Sequence, residues 1–139
     1  MIYLDSAAVV KLVRAEPLTA DLVDWLNTRR PLPLVSSALV EVEVEVEVPR
    51  ALRRSAPQAL SRVPVVLARL YTLEIDVTVR AVAAAYDDPH LRSLDALHLA
   101  TAALLTDQRD GTLEAFFTYD KRLLAAATAA GLPTASPGA

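Results

Sequence analysis

Short apolar runs alternate along this chain with longer amphipathic stretches. Four runs are typical of buried strands, because they are short, apolar and bounded by polar or turn residues; they cover residues 1–4, 34–36, 71–76 and 115–119. Apolar residues with helical spacing predict helices between these strands; the predicted helices cover residues 7–15, 17–26, 57–70, 77–86, 94–106 and 121–130. Ser6 is the predicted N-cap of the first helix, and Gly131 is expected to stop the last one.

The stretch from residue 40 to 48 alternates valine with glutamate, which by periodicity alone indicates a strand. A strand would place its four glutamates in one row of like charge, whereas a helix distributes them around its axis. We therefore favour a helix. Pro49 lacks a backbone donor, so a kink is expected there.

Strands that alternate with helices predict a parallel sheet covered on both faces. The 139 residues are expected to form one domain, residues 1–139. In such α/β folds ligands bind at the carboxyl ends of the strands. Asp5 and Asp120 each follow a predicted strand at that edge.

Composition narrows the function classes. The chain has no cysteine, which excludes disulfides and thiolate metal sites and agrees with a cytoplasmic location. No apolar stretch approaches the length of a membrane span, so a soluble protein is expected. The net charge of −3 gives no global attraction to nucleic acid, although arginines between residues 50 and 69 could form a basic helix surface.

Four acidic residues are the strongest chemical signal: Asp5, Glu43, Asp95 and Asp120. Carboxylates that are separate in sequence but close in space can hold Mg²⁺ or Mn²⁺, which prefer oxygen ligands. Each aspartate also has a simpler explanation, because aspartate is favoured at helix N-caps and in first turns. The strand-end position of Asp5 keeps both explanations open.

Other combinations of residues give weaker indications of a functional site. His98 lies three residues after Asp95 on nearly the same helix face, but a buried, hydrogen-bonded histidine is the commoner case, and we leave it out of the predicted metal site. A triad of Ser6, His98 and Asp120 lacks the glycine-flanked serine of a nucleophile elbow. With three glycines in the chain, glycine-rich phosphate loops are nearly excluded.

Four segments together resemble the PIN-domain family, especially VapC-type toxins of bacterial toxin–antitoxin pairs. They are Met-Ile-Tyr-Leu-Asp-Ser-Ala-Ala-Val-Val-Lys-Leu from residue 1, Val-Ser-Ser-Ala-Leu from 35, Ser-Leu-Asp-Ala-Leu-His-Leu-Ala-Thr-Ala from 93 and Phe-Thr-Tyr-Asp-Lys-Arg-Leu from 117. The resemblance covers nearly the whole chain in order.

This resemblance implies a three-layer α/β/α sandwich with a mainly parallel sheet and an acidic pocket that binds Mg²⁺ or Mn²⁺ and cleaves RNA. It also implies an antitoxin partner and a homodimer or toxin–antitoxin hetero-oligomer. Asp5, Asp95 and Asp120 match the three aspartates of the family, with Ser6 and Thr118 as candidates for orienting them.

The fourth acid of the family falls on Glu43 or on Glu47, depending on which end of the Val/Glu tract is aligned. The tract resembles an insertion of four residues, about one helical turn, which shifts depth by about 5 Å. We therefore expect only one glutamate to reach the pocket and choose Glu43.

Two rival functions differ in class. One is a PIN-like module with an impaired site that binds RNA or protein without cleavage, because fold and function can separate. The other is a phosphoacceptor domain, since aspartate after a first strand also suits phosphorylation. The further acids that a phosphoacceptor needs in its first loop are missing from this sequence.

Overall fold

A computed structural model describes residues 1–107 and 112–139. It contains five strands: β1 (Ile2–Leu4), β2 (Leu34–Ser37), β3 (Leu70–Leu73), β4 (Ala115–Phe117) and β5 (Thr134–Ala135). The α-helices of the described residues are α1 (Ser6–Val13), α2 (Thr19–Asn27), α3 (Leu39–Val42), α4 (Val48–Ser55), α5 (Arg62–Ala68), α6 (Val77–Ala85), α7 (Ser93–Thr106) and α8 (Lys121–Ala129). A π-helical segment (Glu43–Glu47) joins α3 to α4, and a 3₁₀ segment (Pro57–Ser61) precedes α5.

The five strands form one parallel sheet in the order β3-β2-β1-β4-β5. Successive side chains of a strand face opposite sides of a sheet. Accordingly Ile2 and Leu4 pack in one buried cluster, with α1, α2 and the α3–α5 region, whereas Tyr3 packs in a second cluster with α7 and α8. Helices therefore cover both faces, which confirms the predicted α/β/α sandwich with a parallel sheet.

Two predicted boundaries are corrected and a third agrees with the structure. The helix predicted at 57–70 divides into the 3₁₀ segment and α5, and Leu70 already belongs to β3. β3 ends at Leu73, because Asp76 instead caps α6, where its side chain accepts a hydrogen bond from the Val79 amide. The helix at 121–130 ends as expected before Gly131, which adopts a positive φ of 81°.

The structure differs from the predictions in two further features, the N-cap of α1 and the short strand β5. Asp5, rather than Ser6, is the N-cap of α1, because its Oδ1 accepts from the Ala8 amide. β5 was not predicted. Its two residues pair with β4 between prolines, and two residues are too few to show a periodicity.

The Val/Glu tract is helical, as predicted. Its backbone widens into π-helical turns at Glu43–Glu47, and Pro49 lies in the first turn of α4. Proline cannot donate to the carbonyl four residues earlier. The widened turns lie directly before this missing donor, where the sequence predicted a kink. In the described part of the chain, no helix is both long and apolar enough to cross a membrane.

Candidate active site

A cavity of about 330 Å³ opens where the carboxyl ends of β1 and β4 meet the helices that follow them. The four predicted acids all line it, together with one further glutamate and a single arginine. Its lining residues are Asp5, Ser6, Ala7, Glu43, Glu47, Arg92, Ser93, Leu94, Asp95, His98 and Asp120. The structure therefore places Asp5 and Asp120 at one edge of the sheet, in agreement with the strand-end argument, and brings Glu43 and Asp95 to the same cavity.

Asp5 is the most buried acid of this cavity, with only 4% of its surface exposed. One carboxylate oxygen accepts from the Ala8 amide at 2.9 Å, and the other accepts from the Thr118 hydroxyl at 2.5 Å. Burial, with smaller contributions from the charges of Asp95 and Asp120, raises the pKa of the carboxyl to about 6, against the effect of these two bonds. Asp5 is thus both a helix cap and a carboxyl group with a perturbed pKa.

Thr118 is fully buried between the two strand-end aspartates. Its hydroxyl donates to Asp5 and accepts from the Asp120 amide at 3.0 Å, which fixes the direction of its single proton. The expectation that Thr118 orients a site carboxylate agrees with this geometry.

Glu43 and Glu47 of the Val/Glu tract both reach the cavity, which corrects the expectation that only one of them could. That expectation assumed α-helical turns, but Glu43 and Glu47 are the first and last residues of a π-helical segment. A hydrogen bond from the Val48 amide to the Glu43 carbonyl closes this segment. Burial raises the pKa of Glu43, and the charges of Glu47 and Asp95 add to this effect. Glu45, between them, is exposed and does not line the cavity.

Asp95 and Asp120 enter the cavity from helix starts. Asp95 lies in the first turn of α7, and Asp120 caps α8, its Oδ1 accepting from the Arg122 and Leu123 amides at 2.9 and 3.0 Å. Burial raises the pKa of Asp95, and the charge of Asp120 raises it further.

Arg92, which sequence reasoning did not select, lines the cavity just before α7 and acts against this rise in the Asp95 pKa. Its position before the aspartate helix was the only available sequence signal. The cavity therefore combines five carboxyl groups with one guanidinium.

His98 is buried behind the cavity and hydrogen-bonded through both ring nitrogens. Nδ1 lies 2.8 Å from the Tyr3 hydroxyl and Nε2 lies 2.9 Å from the Ser6 hydroxyl. Burial lowers its pKa to about 4, so the ring is neutral at pH 7. The interpretation of His98 as a satisfied buried residue agrees with this geometry, and the imagined triad does not form because Tyr3 takes the place that Asp120 would need.

The donor set fits a hard divalent cation. It consists of carboxylate oxygens, and burial together with the neighbouring acids raises the pKa values of Asp5, Glu43 and Asp95. Positive charge placed among the carboxylates would relieve their repulsion. Within residues 1–107 and 112–139, however, no three acid or histidine side chains are arranged as a ready-made metal cage. Mg²⁺ commonly binds through one or two carboxylates, with water and substrate oxygens completing its shell.

The chain matches the family model of the PIN domain over residues 2–129. Among curated proteins it is 49% identical to "Ribonuclease VapC35" of Mycobacterium tuberculosis, over 99% of this chain and 98% of that protein. It is also 41% identical to "Ribonuclease VapC46" of the same species, over 98% of this chain and 97% of that protein. The match therefore covers nearly the full length of both relatives.

Among solved structures, the fold resembles that of VapC20 of Mycobacterium tuberculosis, described as a sarcin–ricin loop cleaving toxin. The TM-score is 0.69 at 12% identity, and the match covers 99% of this chain and 100% of that one. At this identity the likeness supports the fold alone.

Proposed function

Because the chain belongs to the PIN-domain family, we propose that it is a VapC-type endoribonuclease, the toxin of a toxin–antitoxin pair, which cleaves RNA with Mg²⁺ or Mn²⁺. The observation that carries the proposal is the convergence of Asp5, Glu43, Glu47, Asp95 and Asp120 on one cavity at the carboxyl edge of the sheet. Relatives named ribonucleases that match along almost the entire chain support the same activity.

Asp5, Glu43, Asp95 and Asp120 would hold the cation, and Glu47 is a fifth candidate on the same helical segment. When bound, the metal supplies a Lewis acid for hydrolysis of the phosphodiester. The protein's own contribution is to hold the acids in place: Thr118 and the Ala8 amide fix both oxygens of Asp5 before any ligand arrives.

Ser6 links this acidic cluster to the core. Its hydroxyl is held by His98, and its polar side chain near Glu43 lowers the pKa of that carboxyl, against the effect of burial. Ser6 therefore favours the charged form of Glu43, the form that binds a cation. These contacts support the role of Ser6 as an orienting residue.

The proposed partners are an RNA substrate and a cognate antitoxin protein, in a homodimer or a toxin–antitoxin hetero-oligomer. RNA must approach five acids, so the free pocket repels it unless positive charge is supplied. A protein that occupies the same cavity would block both metal and RNA.

The test is cleavage of total cellular RNA by the purified protein with Mg²⁺ or Mn²⁺, and with EDTA. Discrete fragments that require metal and disappear in Asp5→Asn are expected. Glu43→Gln and Glu47→Gln should each reduce the rate, whereas Glu45→Gln, an exposed neighbour on the same π-helical segment, should leave it unchanged.

If the wild-type protein binds RNA but cleaves it no more than Asp5→Asn does, the proposed ribonuclease activity is refuted. This result would favour the module that binds without cutting. Equal losses in all three glutamine variants would refute the assignment of Glu43 and Glu47 to the pocket.

A further inference from the structure

A second concave surface, of about 460 Å³, adjoins the acidic cavity. We call it the basic groove, and it is lined by Asp88, His90, Lys121, Arg122 and Ala125. The same two stretches of chain build both concavities. The stretch around residues 88–95 contributes His90 to the groove and Arg92 to the cavity, and the start of α8 contributes Lys121 to the groove directly after Asp120 of the cavity. The groove therefore continues the cavity along the surface.

The cations of the groove are available to a ligand. These cations, Lys121 and Arg122, are both exposed, as is the neighbouring His90. Across residues 1–107 and 112–139, the one ion pair is formed elsewhere, between Arg29 and Glu114.

Asp88 is the one acid of the groove. One of its oxygens accepts from the His90 amide at 2.9 Å, so it serves to shape the turn before α7. Together with Arg92 at the border of the cavity, the groove forms a short positively charged track.

A polyanion that reaches the acidic cavity needs such a track. The chain carries a net charge of −3, so it offers no general attraction to RNA. Five carboxyl groups line the cavity itself, and a bound cation would offset only part of their charge. The phosphates that flank the cleaved bond must then be bound by cations close to the cavity.

We propose that the basic groove binds the RNA backbone next to the scissile phosphate, through Lys121 and Arg122, with Arg92 guiding the strand towards the acids. This inference rests on the proposed ribonuclease function and adds the path of the substrate. A rival path runs over α4, where Arg53 and Arg54 are exposed. These two arginines provide a control pair with the same change of charge.

The experiment measures binding of a fluorescently labelled 12-nucleotide single-stranded RNA by anisotropy, in EDTA, from 0.1 to 1 M KCl. For single strands, each phosphate contact contributes about 0.7 to the slope of log affinity against log salt. The double variant Lys121→Gln/Arg122→Gln should therefore lower the slope by about 1.4. Over this tenfold salt range, the wild type should lose about 25-fold more affinity than the variant. Arg53→Gln/Arg54→Gln should leave the slope near that of the wild type.

Metal-dependent cleavage of the same RNA separates the possible failures. The groove variant should raise KM while kcat stays within about twofold, because no reacting atom is touched. If the groove variant leaves both the slope and KM unchanged, RNA binding by the groove is refuted while the ribonuclease function stands. An equal or larger effect in the α4 variant would refute it in the same way. A wild-type protein that neither binds nor cleaves RNA would overturn the ribonuclease and the groove together.

Discussion

Replacing Asp5 by asparagine should stabilise the metal-free protein at neutral pH while abolishing its activity. Burial raises the pKa of Asp5 from 3.8 to about 6 in the folded state. The folded protein therefore binds this proton more tightly than the unfolded chain does. The resulting stability is fully present below pH 4 and is lost as the pH rises through about 6.

The size of this effect follows from the shift. A shift of about two pKa units corresponds to about 3 kcal/mol of stability lost between pH 4 and pH 7. Asparagine carries no charge but cannot accept from both Ala8 and Thr118, which costs about 1 kcal/mol. The variant should be more stable than the wild type by about 2 kcal/mol at pH 7, and slightly less stable at pH 4.

The assay is urea unfolding in EDTA from pH 4 to pH 7, with the variant and wild type compared at each pH. The comparison is needed because His98 has the opposite dependence. Its pKa falls from 6.5 to about 4, so its contribution is lost as the pH decreases through that range and offsets Asp5 in the wild-type curve. The difference between the two proteins isolates Asp5. A difference that stays constant from pH 4 to pH 7 would refute the reasoning.

Three further outcomes are expected. Mg²⁺ at 100 times its Kd should stabilise the wild type by about 2.7 kcal/mol, measured as a rise in Tm, and Asp95→Asn should lose most of that rise. Thr118→Val removes the donor to Asp5 and should destabilise the protein by about 1–3 kcal/mol in urea unfolding, with a further rise in the pKa of Asp5 seen by NMR titration. Leu99→Ala, on the buried face of α7, should cost about 3 kcal/mol of unfolding free energy, yet leave the metal-induced rise in Tm intact below the transition.

The parallel sheet and the positions of Asp5 and Asp120 at its edge could be predicted from the sequence, because both follow from local patterns. Short apolar runs that alternate with helices indicate a parallel sheet. An aspartate directly after such a run must lie at the carboxyl edge, as Asp5 does after β1. β5 was not predicted because its pairing depends on the neighbouring strand β4 rather than on a pattern in its own two residues.

The glutamates show where local patterns fail. The alternation of valine and glutamate does not encode whether the turns are α- or π-helical, and this difference changes the rise and rotation between Glu43 and Glu47. A helix with standard turns would have given one glutamate at pocket depth. The contribution of Arg92 was equally hard to predict, because the effect of its charge on the Asp95 pKa depends on the turn before α7 rather than on spacing.

Helix capping and the proposed metal binding are compatible explanations of the aspartates, because they account for different properties of the same residues. Asp5 and Asp120 stand where they do because each caps the helix that follows its strand, and two adjacent parallel strands bring the two caps together. Capping alone, however, favours a charged carboxylate and a lowered pKa. The Asp5 carboxyl has a raised pKa instead, because the fold buries it beside other acids. This arrangement is electrostatically unfavourable in the metal-free protein. Capping therefore accounts for the position of Asp5, and the electrostatic cost is what the proposed cation would relieve.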